Sequence, residues 1–134
     1  MINSRKISIA DIELTITNQD QILNMGGPGI GDVAIDNDLI SKDCILDNFV
    51  YNEDLHLLFF VKYNRVSKYQ WYFSINFYNV EAKTLYEFDK VFDMVYLGKF
   101  ISKNELEIFH AFHGEFANTK SIFNLDEEEF EQIN

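Results

Sequence analysis

The chain has 134 residues, 47% hydrophobic and 16% aromatic, and a formal net charge of −11. This is enough apolar material for one domain, residues 1–134, with a core of its own, and too much for a disordered tail. The lone Cys44 excludes an internal disulfide, and no run approaches the roughly 20 apolar residues of a membrane span. Polar residues recur every second or third position in the first sixteen, which excludes the apolar core of a signal peptide and makes a cytoplasmic location the expectation.

From Lys6 to Thr17 apolar residues alternate, first Ile7 and Ile9, then Ile12, Leu14 and Ile16. The phase slips at Ala10-Asp11, as a bulge or strand break produces. Residues Met25 to Asp32 hold four of the six glycines and the single proline, which predicts a tight surface loop. Neither GxGxxG nor GxxxxGK[ST] fits it, and Asp32 is a poor neighbour for a phosphate. Val33–Ile35 and Leu39-Ile40 flank Asp36-Asn37-Asp38, turn chemistry for a short hairpin. Leu39, Ile40, Cys44, Ile45 and Phe49 also fit helical spacing, so a short helix within 37–49 stays open. Phe49–Tyr51 reads as a short strand and Asn52-Glu53-Asp54 as a turn.

The centre is Leu55 to Asn79. Leu55, Leu57, Phe59, Val61 and Tyr63 alternate, while Leu58 and Phe60 make the opposite face apolar too. Trp71, Phe73, Ile75 and Phe77 then alternate with Tyr72, Ser74, Asn76 and Tyr78, and the polar link Asn64–Lys68 closes an antiparallel hairpin. Leu85–Phe88, Val91–Phe100, Glu105–His113 and Thr119–Leu125 continue the strand pattern, with Gly98 marking a bulge. Asp126 to Glu129 suits the N-terminus of a short C-terminal helix. Short, evenly spaced strands, roughly eight to ten of them, predict an all-β, mainly antiparallel fold. A curled meander sheet or an open barrel follows, because so many strands rarely stay flat.

No site chemistry is spelled out. On a strand His110 and His113 point to opposite faces and cannot share a metal, and His56 is isolated. Asp43 and burial both disfavour a reactive thiolate at Cys44. Carboxylate pairs such as Asp36/Asp38 and Glu53/Asp54 sit in solvated turns, whereas a general acid needs apolar surroundings. No catalytic residue, metal or cofactor is therefore expected. The aromatic run Tyr69 to Tyr78 near Lys62, Arg65 and Lys68 has the look of a base-stacking platform, but alternation turns most of its rings inward.

The charge is unevenly placed. Residues 32–54 carry seven carboxylates against Lys42, residues 105–134 carry eight against Lys120, and residues 55–104 are net positive. Such a chain repels nucleic acid and anionic membranes and attracts a basic partner, although the same charge also serves solubility alone. The predicted partner surface is Asp36, Asp38, Asp43, Asp47, Glu53 and Asp54, with Glu105 and Glu107 on one face of a strand.

The glycine-rich segment Met25–Asp32, the Val33–Ile40 hairpin and the aromatic hairpin after it resemble, over residues 24–113, the small acidic immunity proteins of bacterial polymorphic or contact-dependent growth inhibition toxin systems. The resemblance implies a non-enzymatic protein that binds a cognate toxin, often a basic nuclease, and occludes its active site or substrate groove. The competing expectation is a small-ligand-binding β-barrel with Tyr72, Tyr78 and His110 lining an interior pocket.

Overall fold

In a computed structural model the alternating stretches are strands, and residues 4–21, 29–110 and 119–134 are described. The chain is all-β: among the described residues there is no helix, and twelve strands pair antiparallel throughout. The slip at Ala10-Asp11 is not a bulge. It is a two-residue turn between β1 (Arg5–Ile9) and β2 (Ile12–Gln21), with φ of 47° and 67°. Two-residue hairpins need left-handed turn residues to match the strand twist. Asp36-Asn37, with φ of 51° and 68°, joins β3 (Gly29–Ile35) to β4 (Asp38–Ile45) in the same way.

The short helix within 37–49 is therefore a strand. Its helical spacing arises because the β3–β4 register slips twice, between Gly31 and Val33 and again between Val33 and Ala34. Each slip turns the apolar phase of β4 over. The expected surface loop is strand from Gly29 onward, while Met25–Pro28 lie outside the described residues, as do Ala111, Phe112, His113 and Gly114.

β5 (Val50–Asn52) lies beside the start of β6 (Leu57–Ser67), and β4 touches the same strand further along, at Cys44 and Lys62. β6 runs past the expected link to Ser67 and turns at Lys68-Tyr69 into β7 (Gln70–Asn79). β8 (Thr84–Phe92) follows on the far side, and β12 (Phe130–Gln132), where a C-terminal helix was expected, pairs with Tyr86–Phe88. The nine-stranded sheet runs β1-β2-β3-β4-β6-β7-β8-β12, with β5 beside β6. Its ends do not pair with each other, so the sheet is curled and open, not a barrel. A second sheet has the order β11-β10-β9, from β9 (Tyr96–Ser102), β10 (Glu105–Phe109) and β11 (Lys120–Asn124).

The doubly apolar central hairpin now has a reason. Phe59, Val61, Phe73, Ile75, Phe77 and Phe88 face the small sheet, where Leu97, Leu106, Ile108 and Phe123 complete one core. Leu58, Phe60, Tyr78 and Leu85 face the other way and share a second core with Leu14, Ile16, Val33 and Ile35. The sheet folds back so that β1–β4 cover one face of β6–β8 and the small sheet covers the other.

Two asparagines tie the small sheet down. Asn48 donates from Nδ2 to the Leu97 carbonyl and accepts the Leu97 N–H, both at 2.9 Å. Asn52 donates to the Lys103 carbonyl at 2.9 Å. The β9–β10 register slips between Phe100 and Leu97, the bulge expected at Gly98. A Cβ at Gly98 would stand 2.9 Å from the Phe109 ring and 3.0 Å from the Glu107 Cβ.

Candidate functional site

Strand register decides which carboxylates meet. Leu57 pairs with Asn79 and Leu58 with Tyr78, so the β5–β6 turn carrying Glu53 and Asp54 and the β7–β8 turn at 80–83 lie at one end of the sheet. The β3–β4 turn, with Asp36 and Asp38 exposed, lies over the other face of the sheet, since Ile35, which leads into it, shares the second core with Tyr78. Burial pushes the Tyr78 phenol up from its ordinary value, and Asp38 and Asp36 add to the shift. Glu53 and Asp54 are exposed at the Leu57 end, with Glu81 on the adjacent turn. The β9–β10 turn joins the same end through the Asn52–Lys103 bond, and Asn104 Nδ2 donates to Asp126 at 2.9 Å. Lys83 and Lys103 are the basic residues on these turns.

The other predicted partner residues lie elsewhere. Asp47 is held by Arg5 at 3.3 Å, and its carbonyl accepts from the Tyr96 hydroxyl at 3.4 Å. Asp43 is exposed on β4, at the Lys62 end of the Cys44 bridge. Glu105 and Glu107 share a face as expected, but they are half-buried on the small sheet. Glu105 accepts the Ser102 hydroxyl at 2.8 Å, and Glu107, its side chain 13% exposed, pairs with Lys120 at 3.2 Å. Asp32, counted with the acidic segment, is buried.

The acidic end also has an apolar centre that the sequence hid. A groove of about 400 Å³ opens there, walled by Leu55, Leu57, Phe59, Phe77, Tyr86 and Phe130, with Asn79, Asn104 and Asp126 at its polar edge. Phe77 lies at the middle of the ring cluster, stacked on Tyr86 at 4.8 Å and edge-on to Phe130 at 5.1 Å. Phe130 is still 50% exposed. The one forewarning was the apolar Leu55-Leu57-Phe59 face; its pairing with Phe130 depended on a strand read as helix.

Tyr72, Tyr78 and His110, expected to line one interior pocket, are placed apart. Tyr72 lines an open hollow beside the Lys68-Tyr69 turn, Tyr78 is buried in the second core, and His110 is exposed at the end of β10. The stacking platform is likewise split, because Phe73, Phe77 and Tyr78 are buried while Tyr69 is 81% exposed, with Lys68 Nζ 5.5 Å from its ring centre. His110 Nε2 lies 2.7 Å from Ser121 Oγ, an exposed pair, and His56 Nδ1 lies 3.4 Å from the Tyr51 hydroxyl. No carboxylate is paired with either ring among the described residues. Among them, too, no three His, Cys, Asp or Glu side chains come together to hold a metal, and no helix is long and apolar enough to cross a membrane.

A polar seam runs inside the fold, between β6–β8 and β1–β4. Asn64 donates to Ser74 at 2.9 Å, and Ser74 donates to Glu87 at 2.9 Å. Asn76, fully buried beside them, has no partner for its amide nitrogen among the described residues. The groove opens on the opposite face of the sheet and does not reach this seam.

No protein-family model, no curated protein and no solved structure matches the chain.

Proposed function

We propose that the chain is a non-catalytic binding protein that neutralises a basic toxin by covering its active site or substrate groove, as the immunity proteins it resembles do. The observations that carry this reading are the exposed acidic turns, Asp36 and Asp38 over one face of the sheet and Glu53 and Asp54 at its Leu57 end, and the apolar groove edged by Asp126 that opens beside Leu55. An apolar centre inside a charged rim is how protein interfaces are commonly built. The rim charge draws a basic partner in from a distance, and the groove gives the contact area that holds it once water is expelled. The acidic residues sit on hairpin turns and the groove walls on paired strands, so little conformational freedom is lost on binding.

The test is co-expression with the product of the adjacent reading frame. Cells survive the toxin, and the two proteins co-purify in equal amounts, if the reading holds. Cells that die as readily with this chain as without it, together with no co-purification, overturn it.

A further inference from the structure

Resting on that reading, we infer that the groove between Leu55 and Phe130 seats one aromatic side chain of the partner, presented from a segment rich in lysine or arginine. The volume of about 400 Å³ exceeds one indole or phenol ring and leaves room for part of its backbone. The walls select the ring. Phe77, Tyr86 and Phe130 already meet one another at 4.8 to 5.7 Å in stacked and edge-on geometries, and a further ring entering beside Phe130 extends that pattern. Phe130 packs on one side and leaves half its surface open. A deeply seated aromatic anchor is the kind of contact that dominates interface energy.

The surrounding charge selects the flanks of that ring. Asp126 stands at the groove's polar edge, with its carboxylate steadied by Asn104. Glu53 and Asp54 precede Leu55 directly in the turn. A ring flanked by acidic residues would bring like charges together, whereas lysine or arginine on either side meets opposite charge. Nitrogens of that kind also reach Asn79 and Asn104, whose side-chain oxygens accept hydrogen bonds.

The probes are two capped peptides, Lys-Lys-Trp-Lys-Lys and Lys-Lys-Gly-Lys-Lys, titrated into the isotope-labelled full chain and followed by amide chemical shifts. The tryptophan peptide is expected to bind about tenfold more tightly. Its shifts should centre on Leu55, Leu57, Asn79 and Phe130, and the preference should disappear in both Phe130→Ala and Leu55→Ser, each checked for an intact spectrum. Equal binding of the two peptides overturns the inference and leaves the charge-led reading standing. Shifts centred outside the groove, or no binding of either peptide, also overturn it. In those cases co-expression still decides whether the chain neutralises a basic toxin.

Discussion

Asp32 Oδ1 accepts the main-chain N–H of Asp43 at 3.1 Å, across the β3–β4 pair. Its other oxygen accepts from Asn18 Nδ2, on the opposite flank, at 2.8 Å. Asn18 and Asp43 both have left-handed φ, 51° and 55°, and both sit where the register slips. One carboxylate in the middle strand thus fastens a bulge on each neighbour. Those bulges bend β1–β4 back over the central hairpin. Asp32→Ala should therefore cost about 1.5–3 kcal/mol, as for hydrogen bonds to a charged group. Urea unfolding measures it, and a loss below about 0.5 kcal/mol, the scatter of ordinary surface substitutions, contradicts the role.

Asn48 imitates a strand residue toward Leu97, satisfying its N–H and its carbonyl together. Asn48→Leu keeps the branched shape and orphans both groups in a buried setting. The expected loss is about 2–5 kcal/mol, from two unmet main-chain groups. Amide exchange should show Leu97 deprotected before the β6–β7 pair.

Cys44 is fully buried, and burial pushes its thiol up from 9.0 to about 12, with Ser41 and Lys62 pulling down and Asp32 and Asp43 pushing up. The unfolded thiol ionises near 9.0 while the folded one keeps its proton. This contribution to stability is whole below pH 9 and is lost as pH rises toward 12. At pH 8 a disulfide reagent should modify Cys44 only as fast as the chain opens, with urea accelerating it. Immediate stoichiometric reaction of the folded protein contradicts this.

Phe77, 6% exposed and in contact with four other aromatic rings, anchors the first core under the groove. Phe77→Ala should cost about 3–5 kcal/mol in denaturant unfolding. Phe130→Ala removes a ring that is half in water already, and should cost less than half as much.

Period-two alternation made the strands legible, and the two apolar faces of Leu57–Val61 implied cover on both sides. What stayed hidden depends on turns and bulges. Ala10-Asp11 reads as a slip because neither residue is glycine, yet both adopt left-handed φ. β4 mimics a helix because its bulges break the alternation. β12 reads as a helix because acidic residues precede it, though its pairing with β8 comes from far along the chain. Of the acidic residues, Glu53 and Asp54 meet the Glu81 turn through the β6–β7 register, which spacing does not reveal. Asp47 and Glu107 are engaged by Arg5 and Lys120 for the same reason.

The most direct measurement is the affinity of the chain for the toxin encoded beside it, titrated at low and high salt, with and without the change Asp36→Asn, Asp38→Asn, Glu53→Gln and Asp54→Gln. Association of the native chain should slow steeply with salt. The variant should fold normally, bind at least about a hundredfold more weakly, given coupling of about 1.5 kcal/mol or more per close charge pair, and lose most of the salt dependence. Unchanged affinity in the folded variant would contradict the claim that these acidic turns meet the toxin.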